Sequence, residues 1–177
     1  MNEYAYPTDT DKKYTVSDIV AVNDHVFLVD ERDGAGLGDN SNAAFKKLFL
    51  IDLAAATDVT ILSGKTALTA NALTKHLFLN VVAELTKPVA SGGLGLMASQ
   101  IPAKLEGIAF GQDLVLDGAT KHTLFIANDN DFLPTFNGTA NPNQFFVFAF
   151  DDADLRAAFG DVAHADLTLE PQVFEKK

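Results

Sequence analysis

A three-strand plan occurs twice in this chain, and that repeat limits the available folds more than any single motif does. Val16-Ser17-Asp18-Ile19 aligns with Leu105-Glu106-Gly107-Ile108. Residues 26–33 (Val-Phe-Leu-Val-Asp-Glu-Arg-Asp) align with 124–131 (Leu-Phe-Ile-Ala-Asn-Asp-Asn-Asp), and the runs at 47–53 and 144–150 follow in the same order. Short runs rich in β-branched and aromatic residues, bounded by Gly, Asn and Asp, are the mark of antiparallel strands. Several of these runs lack polar alternation, as strands covered on both faces do. Repeated units of three or four such strands point to β-propeller blades, with a β-sandwich as the alternative. Two blade-like units, 14–82 and 104–151, cannot close a ring that needs about 4–8 blades. The expected fold is therefore all-β, with about two four-stranded antiparallel units of an incomplete propeller and a C-terminal tail at 152–177. The chain is either a single domain or a fragment of a larger propeller.

Within that frame, residues 1–13 form a polar leading segment. Asn23-Asp24 reads as a two-residue hairpin turn, which places Ser17 opposite Asp30 with Asp18 near both. Residues 54–71, rich in Ala and Thr, are expected to be mostly loop, and 75–82 to begin as a strand. Residues 86–103, with Pro88, Pro102 and Gly92, Gly93 and Gly95, form the longest loop. The second hairpin turns at Asp117-Gly118, 132–142 is a loop, and the second unit shows no convincing fourth strand. Asp151 is an acidic N-cap for a short helix ending at Gly160. One more short strand is expected near 167–169.

Charge narrows the partners. The net charge is −11, from 13 basic and 24 acidic residues. Long-range repulsion then opposes encounter with nucleic acid or an anionic membrane surface. There is no cysteine, so disulfides, thiolate catalysis and Cys-based zinc sites are excluded. No apolar run approaches the roughly 18–20 residues needed to span a bilayer. The first residues lack the basic and apolar regions of a signal peptide. Unpaired strand edges are expected to favour self-association.

The acids at the hairpin ends are the best candidates for a working surface. Asp18, Asp30, Glu31 and Asp33 would share one edge of the first unit. Glu106, Asp129 and Asp131, with Asn128 and Asn130, would do so in the second. In a propeller both edges lie on one face near the axis. Carboxylate and amide oxygens suit Ca²⁺, which takes 6–8 oxygen ligands, and a bound cation recruits phosphate and stabilises charge in its transfer. The plainer reading is that acids and amides end strands and cap turns, with Arg32 neutralising its neighbours. Arg32 either clamps a substrate anion or pairs structurally with Glu31, Glu106 or Asp18. The run 128–131 lacks the glycine and distal glutamate of an EF-hand. The glycine loops at 34–38 and 92–95 lack the strand-before, helix-after context of a nucleotide site. His25, His76, His122 and His164 are widely spaced, without metal-ligand pairing. His25 and His122 stand at matching strand starts and are expected at the surface. No Gly-x-Ser-x-Gly elbow is present, and Asn137-Gly138-Thr139 is a sequon expected to be only a loop.

Five segments in order, Ser17-Asp-Ile-Val20, 27–33, 47–53, 105–109 and 124–132, resemble the C-terminal half of the phytase-like domain family named for the esterase-like activity of phytase. The resemblance spans residues 14–151, and the N-terminal half of the family domain has no counterpart here. It implies a bacterial, secreted or periplasmic, propeller-like domain that hydrolyses a small-molecule ester or phosphate ester. A more remote similarity to calcium-dependent propeller phytases implies Ca²⁺ held by Asp18, Glu31, Glu106, Asp129 and Asp131. Glu31 and Glu106 would then serve as bases, with Arg32 as the anion clamp. The alternative is a non-catalytic module that binds a ligand or a protein.

Overall fold

The computed structural model describes residues 1–8 and 14–172. The charged part of the leading segment, 9–13, and the last five residues of the tail lie outside the described residues. Four strands, β1 (Thr15–Ala21), β2 (Val26–Arg32), β3 (Lys46–Asp52) and β4 (Lys75–Asn80), form an antiparallel meander in that order. The second sheet draws on β5 (Leu105–Phe110), β6 (Leu114–Leu116) and β7 (Ala119–Asn128), with β8 (Thr135–Phe136) and β9 (Thr139–Ala140) set apart as a separate hairpin, and ends with β10 (Phe145–Phe150). Its order is β10-β7-β5, and β6 pairs with the first part of β7. The second unit thus has a fourth strand, hidden in the connection that lengthens its first hairpin. The chain is all-β in its sheets, antiparallel throughout, and no sheet closes on itself among the described residues.

Both sheets share one irregularity. β1 pairs Val16 with Glu31 and Asp18 with Asp30, leaving Ser17 as the extra residue of a bulge. β5 pairs Leu105 with Asn128 and Gly107 with Ala127, leaving Glu106 in the same position. Asp18, not Ser17, therefore stands opposite Asp30. Aligning the bulges makes Asp30 equivalent to Ala127 and Glu31 to Asn128, one residue away from the alignment by sequence. The Asp18–Asp30 pair lies on the turn side of the bulge, so the turn sets it, and the bulge at Ser17 shifts only the pairs beyond, Val16–Glu31 and Thr15–Arg32. The turn also departs from a two-residue loop, since Asn23 Oδ1 accepts the amides of both His25 and Val26.

The sheets bury one face each against the other. Leu28, Leu48 and Leu50 of the first meet Ile108, Leu124, Ile126 and Phe146 of the second in one core. Each such side chain contributes about 1.5–3 kcal/mol by leaving water. β1 and β5 run beside each other, joined where Asp18 Oδ2 accepts the Ile108 amide at 2.8 Å. The far face of the first sheet is covered by the chain's own residues: Ala5 bridges to Ala72, and Tyr14 stacks on Phe45 at 3.9 Å. The far face of the second sheet is open, with Phe125 38%, Val147 53% and Phe145 70% exposed.

Among the described residues three α-helices complete the fold. The stretch expected as loop holds α1 (Lys65–Ala70), and α2 (Val81–Thr86) follows β4 directly. α3 (Asp152–Phe159) is capped by Asp151, which accepts the Asp154 amide, and ends at Gly160 with φ 68°. It buries Leu155 and Phe159 in the shared core. Leu167 and Leu169 are buried, but no strand forms there. That segment is held by single bonds, Glu170 N–H to Val22 O and Leu169 N–H to Asp152 Oδ1, rather than by a ladder.

Candidate functional site: a charged seam between the sheets

Alternation along β2 decides where the candidate residues go. Successive side chains point to opposite faces, so Asp30 and Arg32 face the second sheet while Glu31 faces away. Glu31 is fully buried on that far face, where it takes Lys75 Nζ at 2.5 Å and the Tyr6 hydroxyl at 3.0 Å. It does not reach the seam and cannot share a ligand with Asp18 or Glu106. Arg32 bridges the sheets: Nη2 donates to Glu106 Oε1, Nε to Ser17 Oγ at 3.0 Å and Nη1 to Asp33 O at 3.1 Å. Of the three acids expected to pair with Arg32, Glu106 does so. The two bulges make this contact, because they set Ser17 and Glu106 on the same seam.

Behind Arg32 lies a buried charge network. Lys46, fully buried, gives Nζ to Asp33 Oδ1 at 2.8 Å and to Ala103 O at 2.8 Å. Burial pushes the Lys46 pKa down, against the pull of Asp33. Asp33 is occupied further, its Oδ2 accepting the amides of Ala44 and Phe45 at 2.9 and 2.8 Å. Asp18 accepts two amides, from Ile19 and Ile108, each at 2.8 Å. Asp30, directly opposite, is 1% exposed, and its Oδ2 has no hydrogen-bond partner. Burial raises the Asp30 pKa to about 7; Arg32 and Lys46 oppose the shift, and Asp18 and Glu106 add to it. Burial without a hydrogen-bond donor on Oδ2 favours the neutral form of Asp30.

In front of Arg32 the seam opens into a cleft of about 190 Å³ lined by Arg32, Asp39, Lys104, Asp129 and Asp131. Lys104 donates to Asp131 at 2.5 Å and stands 4.0 Å from Asp129. The hydrogen bond to Asp131 raises the Lys104 pKa, so this side chain stays a cation. The glycine loop forms one wall at very close range: a Cβ on Gly36, whose φ is 133°, would lie 2.2 Å from Ile101 O. The structure thus unites Arg32, Asp129 and Asp131 in one cleft, brings Glu106 to its edge through Arg32, and leaves Glu31 behind the sheet. Lys104 carried no motif. Its only signal is its position just before the strand that pairs with the 128–131 loop.

Of the acids expected to hold calcium, Glu31 faces Lys75, Glu106 faces Arg32, Asp18 faces the Ile108 amide, and Asp131 pairs with Lys104, which also stands 4.0 Å from Asp129. Among the described residues no three acidic or imidazole groups converge as metal ligands.

Of the two histidines expected at the surface, His25 is 39% exposed and His122 only 17%, and both are engaged by carboxylates. His25 Nδ1 and His164 Nε2 share Asp52 at 2.7 and 3.1 Å, and His164 Nδ1 also contacts Asp161 at 2.7 Å. His122 stands between Asp113 and Asp152 at 2.8 and 3.1 Å. Burial works against charge on His122, but the two carboxylates outweigh it, Asp113 ahead of Asp152, and its pKa is raised. These contacts join strand ends to the C-terminal segment, at the opposite end of the sheets from the cleft. Partners up to 112 residues apart in the chain leave no local signature.

The family described as "Phytase-like: Esterase-like activity of phytase" matches residues 1–132. No curated protein and no solved structure matches the chain.

Proposed function

The chain belongs to the phytase-like family, and from that premise we propose that it hydrolyses an ester or phosphate ester at the charged cleft. The observation that carries the proposal is the cleft itself, where Arg32 and Lys104 stand beside Asp129 and Asp131. Two cations and three carboxylates, Asp39 among them, line the cleft and are the parts such a reaction needs. Lys104, half-exposed, offers three donors to an anionic or polarised ester oxygen. Arg32 is held rigid by three contacts, so it meets the substrate without first losing side-chain freedom. A carboxylate freed by Lys104 as it turns to the substrate can take a proton from the attacking water. The roles first given to Glu31 and Glu106 pass to Asp129 and Asp131, with Glu106 positioning Arg32.

The same reading takes the two sheets as neighbouring blades of a propeller. The side-by-side placement of β1 and β5, the first strand of each sheet, supports it, as does the uncovered outer face of the second sheet.

The test is release of p-nitrophenol from p-nitrophenyl phosphate and p-nitrophenyl butyrate, with Ca²⁺ or with chelator. Turnover is expected on at least one ester, falling at least about tenfold in Lys104→Ala, the scale of one lost transition-state contact. No release above buffer from either ester would leave a ligand-binding module as the better description.

A further inference from the structure

A second cleft lies on the other side of the Leu37–Gly38 wall, and its chemistry is different. It encloses about 420 Å³ between the glycine loop, the 98–100 turn and the β8–β9 hairpin. None of its lining side chains is charged, in a chain where 21% of residues are. Asn40, Asn42, Ser99, Gln100 and Thr139 line it with amides and hydroxyls, and Phe136 supplies an aromatic ring. Ser99, Thr139 and both asparagines make no side-chain hydrogen bond within the described residues. Gln100 spends only its Oε1, on the Met97 amide.

The cleft is built, not a chance gap between loose loops. Asn137 and Gly138, with φ 47° and 80°, form the tight turn that Asn-Gly favours in a two-residue hairpin, and this presents Phe136 and Thr139 side by side. Asn141, 6% exposed, ties the hairpin down with its side-chain amide on Leu133 O at 3.1 Å. Gly38 packs against that same amide, where a Cβ would come within 3.1 Å of Asn141 Oδ1. One buried asparagine therefore fixes both walls. The third wall is fixed by the paired bonds of Leu37 with Ile101 and Ala103.

We propose that this neutral cleft is a carbohydrate-binding site, taking an uncharged saccharide against Phe136 with its hydroxyls on the surrounding amides and hydroxyls. A sugar hydroxyl both donates and accepts, as do Asn, Gln, Ser and Thr side chains and as charged groups do not. The C–H face of a pyranose is apolar and suits an aromatic surface. A pre-formed concave site with few oriented polar groups is the usual form of a small-ligand site. A phosphorylated ligand finds no cation here. The inference stands apart from hydrolysis at the charged cleft, because it requires binding and no turnover.

Saturation-transfer NMR on the full chain, with maltose and cellobiose at about 5 mM as probes, reads the contact at the millimolar affinities such a cleft supports. Transfer to the C–H protons of at least one sugar is expected. Binding should weaken about threefold to tenfold in Thr139→Val, the loss of one hydrogen bond, and similarly in Phe136→Ala. Thr139 is exposed on a two-residue strand, so its variant tests the site without threatening the fold. No transfer to either sugar, or equal transfer in both variants, overturns the proposal. Tighter binding of glucose 6-phosphate than of glucose, competing with the disaccharide, overturns the neutral class.

Discussion

Replacing Asp30 by asparagine should change the pH dependence of stability more than any other single substitution in the seam. The carboxyl is buried, unpaired at Oδ2, and titrates at about 7 rather than the usual 3.8. Below both values it is protonated in the folded and unfolded chains alike, and folding carries no penalty. As pH rises past 3.8, the unfolded chain releases a proton that the folded chain keeps. Stability then falls until the folded group also ionises near 7, and levels off above. At about 1.4 kcal/mol per pH unit, the loss totals roughly 4 kcal/mol, of which about 3 falls between pH 5 and 8. Asp30→Asn keeps the shape and removes the proton. Urea unfolding at pH 5, 6, 7, 8 and 9 measures it, followed by circular dichroism because the chain has no tryptophan. The variant should gain about 3 kcal/mol on the wild type between pH 5 and 8, with no further gain at pH 9. Parallel curves for the two proteins would refute a buried proton at Asp30, whatever their vertical offset.

Other perturbations follow from the same contacts. Asp33→Asn leaves the buried Lys46 ammonium facing a neutral amide and should cost about 3–5 kcal/mol in urea unfolding, with Lys46→Met in the same chain recovering part of the loss. His122 has a raised pKa, so its contribution is fully present below about 6.5 and lost as pH rises through the folded value. His122→Gln should therefore lower the melting temperature more at pH 5.5 than at pH 9. Arg32→Lys cannot reproduce the fork that reaches Ser17, Asp33 and Glu106, and should cost about 1–2 kcal/mol by thermal unfolding. The open face around Phe125 and Val147 should drive self-association in sedimentation, reduced by Phe125→Lys. A monomer at every concentration would count against that.

The strands were legible because their signal is local. Residues 26–29 and 48–51 are apolar without alternation, and β2 and β3 are indeed buried along nearly their whole length. The helix after Asp151 was equally clear, since its cap and its terminal glycine lie within nine residues of each other. β6 escaped because three residues on the edge of a long strand make a weak pattern. The 167–169 segment misled because its leucines are buried by packing rather than by pairing.

Composition and periodicity determined that this chain forms antiparallel sheets in two similar units, acidic at the ends of their hairpins. Those properties depend on neighbours a few residues apart. Only the tertiary structure decided which acids work together. A bulge at Ser17 and another at Glu106 shift the register by one residue, and in a strand one residue is the difference between two faces. Alternation along β2 turns Asp30 and Arg32 to the second sheet and Glu31, between them in sequence, to the other side, and the bulges bring Ser17 and Glu106 to Arg32. The cations that answer the acids come from far along the chain: Lys46 for Asp33, Lys75 for Glu31 and Lys104 for Asp131. Charge pairing depends on distance in space, which sequence spacing does not encode.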